Sequence, residues 1–367
     1  MFLLASCAAI AILFPTEKLW AQGCIIAHSV GEVGGPEDEG GYLLKGHWQL
    51  TLDYRHQYSF RHFVGTTEQT YRTQGHTNVR NRINLFDGGL TYQITPRWSV
   101  FMNVPVEFAS RIYNIPANSF GTNSPPVTIN GDYGITGMGD ISWTAQGWIW
   151  DPKSNPSHNI QLGLGIQAPT GKDNVQNNLI ITPGTPPVNS TADYSVQPGL
   201  GVWAIPISWE AFQSIGKRSQ AYFNGSYLIT PSETNGVANT PPPGFPAPAP
   251  QNAFVSAADE YLVQIGTAYS FVKIKGLTGT FGLRDEGVPA HDLIGGNEGF
   301  RRPGYAISLE PGVIYLFHKG NDLFTANIDR AIDRNREPSV PDMQLGGHGG
   351  DAGFADWLWL ASFTHRF

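Results

Sequence analysis

The stretches whose spacing most resembles chemical machinery are rich in glycine, and neither carries the chemistry through. Gly165–Lys172 (GIQAPTGK) has the outline of a phosphate-binding loop, but five residues separate its glycines where four are required. Asp173 also stands where Ser or Thr would bind magnesium. Gly199-Leu-Gly201-Val-Trp-Ala204 fits a loose dinucleotide fingerprint, with no helical pattern behind it. The ten histidines, His62 and His348 among them, are scattered, without HExxH or paired Cys/His spacing, so no metal site is expected. His56 lies near the end of an alternating segment, where a barrel phospholipase would expose its Ser–His pair. Tyr58 occupies the place the serine would need. No catalytic residue and no cofactor are expected.

Bulk composition points away from soluble enzymes altogether. The chain has 367 residues, 41% hydrophobic but only 14% charged, against about 25% charged in soluble globular proteins. Its mean hydropathy is −0.21, and it has no apolar run of the roughly 20 residues that a membrane helix needs. Low charge without long apolar runs suits strands that alternate lipid-facing apolar residues with polar residues facing a lumen. The net charge of −7 and the lack of a basic cluster argue against a nucleic-acid partner.

The elements that carry these residues read as strands of period two. In His47–Ser59, Trp48, Leu50, Leu52, Tyr54 and Tyr58 share one parity, and Gln49, Thr51, Asp53, Arg55, Gln57 and Ser59 share the other. The last segment, Phe354–Phe367, repeats the pattern with Trp357, Trp359, Ala361, Phe363 and Phe367 on one face. Ten further strands are expected near 82–95, 97–111, 137–150, 158–168, 193–208, 219–231, 259–273, 275–286, 302–317 and 320–331. Short turns at Thr95–Arg97, Lys273–Gly276 and His318–Asn321 alternate with long connections rich in Pro, Gly, Asn, Ser and Thr. The expected fold is all-β: a transmembrane antiparallel up-and-down β-barrel of about 12 strands. Trp48, Trp98, Trp148, Trp150, Trp203, Tyr315, Trp357 and Trp359 fall near strand ends, where interfacial aromatic girdles belong.

Parity then supplies the functional candidates. The lumen-lining set comprises Asp53, Arg55, Asp87, Gln93, Glu107, Asp140, Gln146, Asn224, Arg284, Glu310, Asp329 and Arg366. Charges inside a barrel persist only where water or opposite charges meet them. They either line an aqueous path or form a salt-bridged plug, and a bore of a dozen strands is wider than the eight that side chains readily fill.

The ends divide the chain. Residues 1–23 read as a signal peptide, with a short apolar segment, Phe2–Phe14, and a small-residue cleavage candidate, Ala21-Gln22-Gly23. Residues 24–45 read as a periplasmic tail or small plug, and 46–367 as the barrel. Of the two cysteines, Cys7 would leave with the signal, so no disulfide is expected; Cys24 opens a lipidation reading that Ala-Gln-Gly before it fits poorly.

A resemblance adds to this. Gly137-Met-Gly-Asp140, Leu162-Gly-Leu-Gly-Ile-Gln-Ala-Pro-Thr-Gly171 and Asp193-Tyr-Ser-Val-Gln-Pro-Gly-Leu-Gly201 resemble motifs of the outer-membrane transporters named for the meta-cleavage pathway of phenol degradation. In that family a Gly-x-Gly-Asp strand start similarly pairs with a Pro-Thr-Gly strand end and a glycine-rich return. The match covers about 130–230; elsewhere only the strand layout agrees. It implies a bacterial outer-membrane channel for small hydrophobic or aromatic solutes, with Asp140 holding backbone amides. The terminal aromatic Phe367 resembles the signal read by the barrel-assembly machinery. Expected partners are therefore outer-membrane lipid, that machinery and a small solute. The competing readings are a non-transporting barrel that binds a partner through its long loops, and a lipid-modifying enzyme.

Overall fold

The two-faced segments pair into one closed sheet. The computed structural model describes residues 21–24, 42–115, 129–179, 186–240, 247–347 and 349–367. Its principal strands are β1 (Trp48–Val64), β2 (Arg80–Gln93), β3 (Trp98–Ile115), β4 (Ile129–Met138), β5 (Ser142–Trp148), β6 (His158–Gln167) and β7 (Ile205–Ser214). They continue as β8 (Ser219–Ile229), β9 (Glu260–Ser270), β10 (Leu277–Val288), β11 (Gly304–Phe317), β12 (Asp322–Arg336) and β13 (Asp351–Arg366). All but β4 follow one another around an antiparallel barrel of twelve strands, and β13 pairs with β1 to close it. Closure leaves no strand edge exposed to lipid.

Connections alternate in length around the ring. At one end the strands turn back at 94–97, 149–157, 215–218, 271–276 and 318–321; at the other they are joined by 65–79, 168–204, 230–259, 289–303 and 337–350. The outward parity carries exposed Leu50, Leu52, Phe86, Phe108, Leu162, Phe223, Ile265, Phe281 and Trp359. The opposite parity is buried and polar: Thr51, Gln57, Ser59, Asn81, Thr144, Thr280 and Asn327. An oily exterior around a polar interior is the arrangement that lipid imposes on a barrel. No helix among the described residues is long and apolar enough to cross a membrane.

Three expectations are corrected. The strand expected at 137–150 is broken: Ile129–Met138 extends β3 beyond the rim, and the wall resumes at Ser142 after Gly139-Asp140-Ile141. The strand expected at 193–208 begins only at Ile205; Tyr194–Val196 is a turn of 3-10 helix. Its glycines and Pro198 break the period that the upstream residues had suggested. Trp148 is not a girdle residue. It is buried at the short-turn end against Tyr42, ring centroids 5.1 Å apart, and Phe212, 6.1 Å away.

Of the expected signal and tail, residues 1–20 and 25–41 lie outside the described residues. Ala21–Cys24 runs parallel to the start of β13. Tyr42 reaches the bore at the short-turn end, where Asn159 Nδ2 donates to its hydroxyl at 3.4 Å.

Candidate functional site

The interior divides into a charged half and a hollow half. The charged half is built on β1 and β10–β12. Glu286 Oε1 accepts from Arg55 Nη2 at 2.6 Å, and Oε2 accepts from Arg284 Nε at 2.9 Å. Arg284 lies farther from two more carboxylates, with Nη1 3.9 Å from Glu310 and Nε 4.0 Å from Asp329. Gln264 Nε2 donates to Glu310 Oε1 at 2.7 Å. Arg55, Arg284, Glu310 and Asp329 are essentially without exposure. Such a cluster persists because the two guanidinium groups offset the carboxylates; removing either cation would leave buried carboxylates together.

The hollow half is a cavity of about 240 Å³ against β1–β3 and β5–β9. Asp53, Asp87, Glu107, Asp140, Gln146 and Asn224 line it, as do Leu85, Phe101, Pro105, Ile207, Leu228 and Leu262. Six of the sequence-derived candidates are thus brought to one cavity, and Arg55, Arg284, Glu310 and Asp329 to the facing network. Gln93 and Arg366 join neither. Gln93 donates to Thr95 O at 2.7 Å, and Arg366 Nε donates to Gln49 Oε1 at 3.0 Å, both at the short-turn rim. His56 Nδ1 meets Asn84 Oδ1 at 2.8 Å on the outer face, and no serine partners it there. His348 lies outside the described residues. Among those described, no group of three His, Cys, Asp or Glu could hold a metal.

The residues that parity could not place are those that roof the cavity. Residues 193–200 fold into the bore at the long-loop end. Ser195 Oγ receives Asn81 Nδ2 at 2.9 Å, and Val196 is buried with Val79, Ile83, Ala109 and Tyr113. Pro198 and Leu200 of the same segment line the cavity. Its leading residue, Asp193, accepts two hydrogen bonds from Arg302, at 2.9 Å and 2.6 Å, and lies 3.2 Å from Arg111. Burial pushes the Asp193 carboxyl up, but Arg111, Arg302 and the Ser195 hydroxyl outweigh it and hold the group well below the usual carboxylate range. Arg302 is further fixed between Tyr194 and Phe300, whose ring centroids lie 4.5 Å and 5.0 Å from its guanidinium carbon.

The three motif segments meet where β4 and β5 part. Asp140 Oδ1 accepts from Gly171 N at 2.8 Å, and Oδ2 from Leu200 N at 2.7 Å. Thr170 Oγ1 donates to Gly139 O at 3.1 Å and receives Ile141 N at 2.8 Å. A Cβ on Gly171 would stand 2.8 Å from Gly139 C, and one on Gly199 would stand 2.5 Å from Gly171 C. Backbone meets backbone here, so only glycine fits. The Gly137–Asp140, Pro169–Gly171 and Gly199–Gly201 motifs are one knot, contributed by segments far apart in sequence.

No family model and no curated protein matches the chain. The barrel is similar to an outer membrane channel from Pseudomonas putida F1. That crystal structure is 14% identical over 90% of this chain and 99% of its own, with a TM-score of 0.55. The monoaromatic hydrocarbon channel CymD is 10% identical over 92% of this chain and 94% of its own, TM-score 0.47. The β domain of the Bordetella autotransporter BrkA is 13% identical over 88% and 100%, TM-score 0.43. What is shared at this identity is the closed outer-membrane barrel, a fold that serves more than one purpose.

Proposed function

We propose that this chain is a channel of the bacterial outer membrane that admits small hydrophobic solutes of about the size of one aromatic ring. The observation that carries the reading is the roofed interior cavity of about 240 Å³. An apolar cavity of about 150 Å³ suffices to hold benzene. Leu85, Phe101, Pro105, Ile207, Leu228 and Leu262 supply its apolar wall, and polar side chains, the carboxylates Asp53, Asp87, Glu107, Asp140, Glu210 and Glu260 among them, supply the rest. Two apolar clusters line the bore toward the long loops, one around Val79, Tyr113 and Val196, the other around Phe63 and Phe354. The likeness to the outer membrane channel of P. putida F1 agrees with this reading, as does the resemblance of the motifs to the family named for the phenol meta-pathway. In this reading the long loops face outward, lipid covers the belt of Leu, Phe and Trp, and Phe367 closes the strand read by the assembly machinery.

The test is flux through vesicles whose outer leaflet is lipopolysaccharide, which slows toluene, with and without purified, folded protein, comparing toluene with arabinose. Toluene should enter faster than in protein-free vesicles, with little sugar swelling. Equal toluene entry with and without folded protein would sink the proposal. One observation favours a second reading, a sealed barrel acting through its loops: the Arg55–Glu286–Arg284 network is buried inside the barrel. That reading predicts no flux of either solute.

A further inference from the structure

The cavity is not alone. A smaller space of about 40 Å³ lies between it and the long loops, lined by Tyr194, Gln197, Asn235, Arg301 and Arg302 among others. The two spaces share two lining residues, Leu200 and Glu260. Leu200 therefore stands at the junction. Its backbone cannot slide: Leu200 N donates to Asp140 at 2.7 Å, Gly199 N donates to Lys172 O at 3.0 Å, and Gly199 is packed directly on Gly171. The other end of the segment is held differently. Asp193 is joined to Arg302, which comes from the connection before β11 on another side of the barrel. One end is built into the wall; the other, after the Ala192 N–Val175 O bond at 2.9 Å, is held by side chains, Arg302 and Arg111 on the Asp193 carboxylate and Tyr133, whose hydroxyl accepts Asp193 N at 3.1 Å.

The geometry points to residues 193–200 as a hinged gate, with Leu200 as the constriction and Arg302 as its latch. This rests on the channel reading for its purpose, but not for its test. The Arg302 fork makes two parallel hydrogen bonds to the Asp193 carboxylate, so the tie is both strong and directional. A side-chain tie can open without disturbing a backbone ladder, as elements that move in function require. Arg302 acts on passage through the position of the segment, so it is a positioning residue. Leu200 would contact whatever passes.

The gate is tested by accessibility rather than by transport. In a background with Cys7 and Cys24 replaced by Ser, Leu200→Cys is placed in vesicles with the long loops outward. It is then exposed to a membrane-impermeant thiol reagent. Labelling should be slow in that variant, roughly tenfold faster when Arg302→Gln is added, and intermediate with Arg302→Lys, which keeps the charge but not the fork. A control cysteine at Ala352, buried with Phe63 and Phe354 at the same end of the barrel but away from the segment, should label at the same rate with and without Arg302→Gln. Equal labelling of Leu200→Cys in all three backgrounds would overturn the gate. So would an equal rise at both cysteines, which would mean general loosening. Should Arg302→Gln not fold, Asp193→Asn cuts the same tie from the other side and carries the same expectations. A gate confirmed by labelling with no toluene flux would refute the solute and keep the gate.

Discussion

Asp140 and Leu200 are sixty positions apart, yet the carboxylate of one accepts the backbone N–H of the other at 2.7 Å. The second oxygen of Asp140 takes Gly171 N at 2.8 Å. One acid thus ties three segments at the point where the wall strand is interrupted. Hydrogen bonds to charged groups contribute about 1.5–3 kcal/mol each, and burying the abandoned amides costs more. Asp140→Ala should therefore destabilise the barrel by several kcal/mol. Asp140→Asn keeps one acceptor oxygen and should cost about half as much. Urea unfolding in detergent, read by heat-modifiable gel mobility, checks the order; equal stability of the two variants would contradict it.

The glycine contacts make a sharper prediction. Gly199→Ala places a methyl group 2.5 Å from a backbone carbon that has no freedom to retreat. It should cost about 1–3 kcal/mol, as overpacking does. Gly216→Ala is a useful contrast. Its φ of +102° also strains an added Cβ, but no atom lies within 4 Å of it. Its cost should be smaller and confined to the turn.

The charged half of the bore should respond unequally to its members. Arg284→Met removes the cation that faces Glu286, Glu310 and Asp329 and leaves three carboxylates together. Breaking a buried pair in this way costs about 3–5 kcal/mol. Asp329→Asn removes one of three carboxyl groups that outnumber Arg55 and Arg284, and should be neutral or mildly stabilising. Chemical denaturation of both variants decides this; a mild Arg284→Met would mean that the network carries little of the stability.

The Arg302–Asp193 tie should be insensitive to pH over most of the working range. Asp193 ionises in the folded protein well below the usual carboxylate range, whereas its unfolded value is about 3.9. A group with a depressed folded value contributes stability that is complete above the unfolded value and is lost as pH falls toward the folded one. Labelling of Leu200→Cys, divided at each pH by that of the unfolded protein so that the thiolate fraction cancels, should thus be flat from about pH 5 upward. In Arg302→Gln the onset of faster labelling on acidification should begin at higher pH, because Arg111 alone remains nearby. A steep change near neutrality in the parent protein would show that another group controls the segment.

The sequence by itself determined the barrel. Period-two alternation in β1 and β13, twelve strands and the rhythm of short and long connections follow from lipid outside and polarity inside, a constraint that acts on each residue locally. It also assigned Arg55, Asp87, Glu107, Arg284, Glu310 and Asp329 to the interior, because parity decides which face a side chain takes. The motif glycines were visible as well, but as strand starts and ends. Only the tertiary structure showed that Gly139, Gly171 and Gly199 touch, that 193–200 turns inward in place of extending a strand, and that Trp148 is buried against Tyr42 and Phe212. Those outcomes depend on contacts between residues far apart in sequence, such as Arg302 with Asp193. Local alternation has no term for them, since a loop's path is set by what it meets across the bore and not by its own periodicity.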